Sequence, residues 1–82
     1  MSTNEIIRNF ISHELLHDGR KTLLSDDDQL IDMGIIDSLG IMTLLVFIED
    51  KFSIQISGDE LLPENFATVS AISNLIDRHL IH

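Results

Sequence analysis

Three groups of residues have the types and spacing that chemistry needs. His13-Glu14-Leu15-Leu16-His17 matches H-E-x-x-H, which on a helix sets two imidazoles one turn apart with a carboxylate near them for general-base work. Asp26, Asp28, Asp32 and Asp37 fall at positions 1, 3, 7 and 12 of a possible calcium loop. Ser38 stands where an acid-rich stretch gives way to an apolar run, and its hydroxyl is a candidate nucleophile or modification point.

The first two fail on detail. A zinc protease needs a third protein ligand, a substrate cleft and an extended scaffold, and 82 residues leave no room for them. His79 and His82 lie at the chain end, where a rigid ligand is not expected. His13 and His17 read instead as surface residues near a helix C-terminus, whose dipole suits their charged form. The calcium pattern has Leu30 at its fifth position and Ile31 at the sixth, which needs Gly, and Asp37 at the twelfth is too short to chelate as Glu does. No metal site is expected. Ser38 has no His near it in sequence, and Asp37 is no substitute for a catalytic base, so no enzyme is expected. Taken alone, Ser38 reads as the N-cap of a helix. That position has a chemical consequence. Free amides and the helix dipole favour a phosphate at a helix N-terminus, so a phosphodiester on Ser38 is stabilised there.

The elements that position Ser38 follow from periodicity. Ser2-Thr3-Asn4-Glu5 has capping-box spacing and predicts a first helix to about His17, ended by Asp18-Gly19. Its apolar arc is Ile6, Ile7, Phe10, Ile11 and Leu15, interrupted by Glu14, which either snorkels or marks where the helix frays. Residues 18 to 37 form a long connection anchored by Leu23, Leu24, Leu30, Ile31, Met33, Ile35 and Ile36, with a short turn expected at Gln29 to Asp32. From Ser38 to Phe52 the length argues for a helix. Ile41, Leu44, Leu45, Ile48 and Phe52 make a core stripe. Leu39, Met42 and Val46 make a second stripe, rotated roughly 130° from the first at about 100° per residue. Gly58 to Leu62 suggests a short helix ended by Pro63, and Thr68 suggests the N-cap of a last helix with Val69, Ile72, Ile76 and Leu80 on its apolar face. The fold class is all-α: a small four-helix bundle of three main helices and one short one, with a long loop between helices 1 and 2, read as a single domain over 1–82. The expected core is Ile7, Phe10, Ile11, Leu15, Leu30, Ile41, Leu44, Leu45, Ile48, Phe52, Phe66, Val69, Ile72 and Ile76.

Charge narrows the partners. The net charge of −9 is carried by residues 25 to 64, which hold ten acids and one base, Lys51. Such a field steers basic partners and repels nucleic acid. The longest apolar run, Leu44 to Ile48, is far too short for a membrane span, and the chain starts without a signal-peptide pattern. With no Cys, disulfides and thiolate zinc sites are excluded. A monomer in the cytoplasm is expected. The second stripe, rimmed by Asp37, Glu49 and Asp50, has the composition of a docking surface.

Read in order, several segments resemble the acyl carrier proteins and peptidyl carrier domains. They are Phe10, Ile11 and Leu15; Leu30-Ile31-Asp32-Met33-Gly34; Asp37-Ser38-Leu39; Ile48-Glu49-Asp50-Lys51-Phe52 running to Ile56; and Pro63-Glu64-Asn65-Phe66 leading to Thr68, Val69 and Ile72. The resemblance covers nearly the whole chain. It implies a non-catalytic carrier with 4′-phosphopantetheine on Ser38, taken from coenzyme A by a separate phosphopantetheinyl transferase. The arm's thiol would hold an acyl or aminoacyl group as a thioester and present it to acyl-using enzymes of fatty-acid, polyketide, nonribosomal-peptide or related biosynthesis. The two residues Ile35-Ile36 between Gly34 and Asp37, with Gly40 and Thr43 where fatty-acid carriers often have acids, look more like stand-alone carriers loaded by an adenylating ligase, such as D-alanyl carriers. The competing reading is an unmodified helical adaptor that binds a partner through Leu39, Met42 and Val46.

Overall fold

The computed structural model describes residues 2–15 and 24–80. Three α-helices are present among them, α1 (Thr3–Phe10), α2 (Ser38–Phe52) and α3 (Val69–Leu80), and there is no strand. Helix α1 starts as its sequence predicts. Ser2 Oγ accepts from Glu5 N at 3.2 Å, and Glu5 Oε1 accepts from Ser2 N at 3.4 Å. It does not run on to His17 as a uniform α-helix: Ile11–Leu15 form a π-turn. The wider turn leaves Glu14 exposed and Leu15 half-buried, which resolves the acid inside the apolar arc. The expected helix end at His17 to Gly19, and the anchor Leu23, lie outside the described residues.

The connection to α2 is held by backbone bonds rather than by its own secondary structure. Asp26 O accepts from Ser70 N at 3.1 Å, and Leu30 N donates to Ala67 O at 2.8 Å, so the loop is tied to the start of α3. The Asp26 carboxylate accepts from Asn4 Nδ2 at 2.7 Å and pairs with Arg8, tying the same point to α1. A single helical turn follows at Gln29 to Met33, whose Met33 N donates to Gln29 O at 2.8 Å. Gly34 then adopts φ +72°, a left-handed conformation that costs a side-chain-bearing residue about 1–2 kcal/mol. Leu30 O accepts from both Ile35 N and Ile36 N, which brings the chain to the start of α2.

Between α2 and α3 the expected short helix is a 3₁₀ turn over Gly58–Glu60. Pro63 does not merely end it; it opens a second 3₁₀ turn, Pro63–Asn65, because a fixed φ and a missing N–H suit a first helical position. Ile54 and Ile56 alternate with Gln55 and Ser57, yet this segment forms no strand. Thr68 caps α3 as predicted, its Oγ1 accepting from Ala71 N at 3.0 Å.

The core forms where these pieces meet. Ile7, Ile11, Leu30, Leu44, Leu45, Ile48, Phe66, Val69, Ile72 and Ile76 are buried as expected. Each such burial contributes roughly 1.5–3 kcal/mol. Phe10, Leu15, Ile41 and Phe52 are only half-buried at its edge. Their places are taken by Leu24, Ile36, Ile56 and Leu75, three of which come from irregular segments that periodicity does not cover. No helix among the described residues is long and apolar enough to cross a membrane.

Candidate functional site

Ser38 is the first residue of α2 and is exposed. It is not the N-cap that its residue type suggests. Asp37 takes that role, in extended conformation, with Oδ1 accepting from Gly40 N at 2.7 Å. Asp and Ser have similar cap preference, and here it is the Asp37 carboxylate that reaches Gly40 N, in a charge-assisted bond that the helix dipole also favours. The Ser38 hydroxyl is thereby left out of the cap. Ile41 N is bonded to Asp37 O, whereas the amides of Ser38 and Leu39 take no partner among the described residues. An exposed hydroxyl beside two uncommitted amides at the positive end of a helix suits a phosphodiester, whose oxygens those amides can receive.

Gly40 eases this geometry. A Cβ there would lie 3.2 Å from Ile36 Cγ1 and 3.3 Å from Asp37 Oδ1, so a side chain at this position would press Ile36 and the capping carboxylate back by a few tenths of an ångström. Ile36 is 2% exposed and anchors the loop that presents Asp37 and Ser38. A glycine inside a helical pattern was the available sign of such a close approach. Beside Ser38 lies a hollow of about 310 Å³, lined among others by Glu14, Leu15, Gly34, Leu39 and Thr43.

Leu39, Met42 and Val46 are 75%, 52% and 65% exposed and share one face of α2. The acids meant to rim that face differ in use. Asp37 is exposed but committed to its cap, and Asp50 is exposed. Glu49 is half-buried, and its Oε2 accepts from Ile56 N at 3.0 Å, holding the chain that leaves α2. The first turn of α2 carries no acid.

The discarded motifs are used structurally. His13 Nδ1 donates to Asn9 O at 2.7 Å, and His17 lies outside the described residues. Asp26 binds Asn4 and Arg8, Asp28 accepts from Ser25 N, and Asp37 caps α2, so the loop acids point to separate tasks. Among the described residues no three metal-binding side chains gather. The hydrogen bond from Asn4, with the Arg8 guanidinium, holds the Asp26 carboxyl below its usual range. The Ser57 backbone amide, helped by His79 at 2.8 Å, does the same for Glu60.

An all-helical fold with a loop-anchored, exposed serine opening α2 is an arrangement that suits a small carrier. The comparisons agree. The family model described as "Phosphopantetheine attachment site" matches residues 6–76. The chain is 34% identical over 74 residues to the "Probable acyl carrier protein PigG" of Serratia sp. (strain ATCC 39006), covering 90% of this chain and 84% of the relative. It is 31% identical over 72 residues to the "D-alanyl carrier protein" of Streptococcus suis (strain 05ZYH33), covering 88% and 87%. A chain in a solved structure described as "Crystal structure of FAD-dependent dehydrogenase" superposes with a TM-score of 0.77 at 33% identity, covering 85% of this chain and 97% of that one. The protein belongs to the phosphopantetheine-binding carrier family. Its role is that of a carrier, and its cofactor is covalently held 4′-phosphopantetheine.

Proposed function

We propose that Ser38 is the attachment residue and that the chain, a single domain over 1–82, carries an acyl or aminoacyl thioester without catalysing any step. The observation that carries this reading is the exposed Ser38 hydroxyl at the start of α2, freed from capping by Asp37. Ser38 Oγ bonds to the β-phosphorus of coenzyme A as the pyrophosphate bond breaks and adenosine 3′,5′-bisphosphate leaves; the hydroxyl proton passes to the transferase. The bound arm supplies the thiol that holds the cargo. Asp37 fixes the first turn of α2 so that Ser38 faces solvent, and the Ser38 and Leu39 amides receive the phosphodiester.

Leu39, Met42 and Val46, with Asp37, Glu49 and Asp50 around them, are the proposed docking surface for the transferase, an adenylating ligase and downstream enzymes. The likeness to the D-alanyl carrier protein supports the ligase-loaded subtype. The likeness to a chain of carrier size in a flavin-dependent dehydrogenase structure supports a flavoenzyme that oxidises the cargo while it is attached. The protein is proposed to act as a cytoplasmic monomer.

Co-expression with a broad-specificity phosphopantetheinyl transferase tests the attachment. Intact mass is expected to rise by one phosphopantetheine, and Ser38→Ala is expected to remain unmodified. A wild-type mass that does not change would leave the adaptor reading in place of this one.

A further inference from the structure

The residue that follows Ser38 by one helical turn on the same face of α2 is Met42. Four residues of an α-helix advance by about 400°, so the two side chains stand roughly 40° apart, with Cβ atoms about 6 Å from each other. Side chains on a helix lean toward its N-terminus, which carries the Met42 thioether toward the turn that holds Ser38. Met42 is 52% exposed, between Leu39 and Val46 that are more exposed still, so small solutes have access to it. The chain has three methionines and no Cys, and methionine sulfur is its only oxidisable sulfur. Met33, 55% exposed, belongs to the loop turn at Gln29 to Met33 and not to α2. The side-chain donors of α2 are three: Ser38, Thr43 and Lys51. Thr43 Oγ1 already donates to Leu39 O at 3.0 Å. Lys51 lies about 180° round the helix from Met42. The acids Asp37, Glu49 and Asp50 only accept when ionised. Ser38 is therefore the one open side-chain donor of α2 beside Met42.

We propose that Met42 is a reversible oxidation site for peroxide and that its sulfoxide blocks the loading of Ser38. The proposal rests on Ser38 as the attachment residue and on the α2 strip as the surface that the transferase meets. The oxidant is hydrogen peroxide. A sulfur lone pair of Met42 attacks one peroxide oxygen, the S–O bond forms as the O–O bond breaks, and the second oxygen leaves as water once the proton has moved to it. The thioether is oxidised by two electrons and the peroxide is reduced. A methionine sulfoxide reductase reverses the step with a dithiol, which becomes a disulfide as the oxygen leaves in water. The new oxygen acts in two ways. It sets a strong acceptor in the middle of an apolar strip, where a docked partner buries it without a donor. It also accepts from the Ser38 hydroxyl, whose proton the transferase must take. The fold is untouched, because Met42 is not part of the core. Oxidation of Met33 has neither consequence.

The test uses the full chain before attachment of the arm, so that no thiol competes for the oxidant. Protein is treated with hydrogen peroxide, freed of it, and given the transferase and coenzyme A. Peptide mass mapping locates added oxygen, and intact mass against time gives the loading rate. One oxygen is expected on Met42, and the loading rate of that fraction is expected to fall about tenfold, with an unchanged circular-dichroism spectrum. Methionine sulfoxide reductase with dithiothreitol is expected to restore the rate. Each variant is compared with its own untreated rate. Met33→Leu is expected to keep the sensitivity, and Met42→Leu to load equally fast before and after peroxide. Met42 left unoxidised while free methionine in the same solution is consumed overturns the site. Equal loading of the oxidised protein, a Met42→Leu protein still inhibited by peroxide, or helicity lost on oxidation overturns the block. All four results leave the attachment at Ser38 intact. Untreated protein that never gains phosphopantetheine overturns the attachment and the block together.

Discussion

Helices α2 and α3 are both rich in aliphatic residues, and they place them differently. Helix α3 buries Val69, Ile72, Leu75 and Ile76 completely and leaves only Leu80, at its end, substantially open among its large apolar residues. Helix α2 buries Leu44, Leu45 and Ile48 and exposes Leu39, Met42 and Val46 along its length. Helix α3 is also tied at its start to the loop through Asp26 and Ala67, and to α1 by Thr3 Oγ1 donating to Asp77 Oδ1 at 3.4 Å. The difference teaches that apolar content alone does not identify scaffold. One helix spends its hydrophobic surface on the fold, and the other leaves part of it open to solvent.

The sharpest way to break this comparison is truncation on each helix. Ile72→Ala should destabilise by about 2–5 kcal/mol, since it removes fully buried methyl groups and leaves a cavity. Met42→Ala should change stability by no more than about 0.5 kcal/mol. Urea unfolding of the two variants measures both, and equal losses would place the α2 strip in the core. Next in size, Met42→Glu should reduce turnover by a docking enzyme about tenfold, or roughly 1.4 kcal/mol, with helicity unchanged. A circular-dichroism spectrum beside the loading assay separates the two outcomes.

Helix α3 carries one polar residue that its packing does not use. Ser73 is 2% exposed, and its Oγ has no hydrogen-bond partner. Ser73→Ala should therefore stabilise the protein by about 1 kcal/mol, read as a rise in the urea midpoint. A loss of stability instead would mean that the hydroxyl is satisfied in solution. The smallest effect is a pH dependence. Asp26 and Glu60 have carboxyls held below their ordinary values of 3.8 and 4.5 in the folded state. The unfolded chain then binds more protons, so their contribution is complete above those values and is lost as pH falls through the lower, folded ones. Asp26→Asn should flatten the acid limb of a stability-against-pH curve, and Leu39→Ala should leave its shape unchanged.

Much of this was legible in the chain. The Ser2–Glu5 capping box, the Thr68 cap, the core stripe through Leu44, Leu45 and Ile48, and the open strip through Leu39, Met42 and Val46 all follow from local spacing. So does the carrier resemblance, which the family match over residues 6–76 bears out. Leu24 and Ile36 read from the sequence as anchors of the long connection, but neither they nor Ile56 could be ranked above their apolar neighbours, because in irregular chain no period marks which residue faces inward. The π-turn at Ile11–Leu15 and the 3₁₀ turn opened by Pro63 were missed for a related reason. Each depends on how the segment packs as well as on its own propensity.

The sequence by itself determined that Ser38 begins an apolar helix after an acidic loop, since residue type and spacing set helix starts locally. Only the tertiary structure decided that Asp37, not Ser38, caps that helix, because two adjacent residues of similar cap preference are distinguished by which side chain reaches Gly40 N. Only it decided that Ile36 packs against Gly40, that Glu49 is committed to Ile56, and that a hollow opens beside Ser38 between α2 and the π-turn. The first two, like the Asp37 cap, join residues three to seven apart, yet each depends on the path of the turn between them, and the hollow depends on how the first helix and α2 pack together.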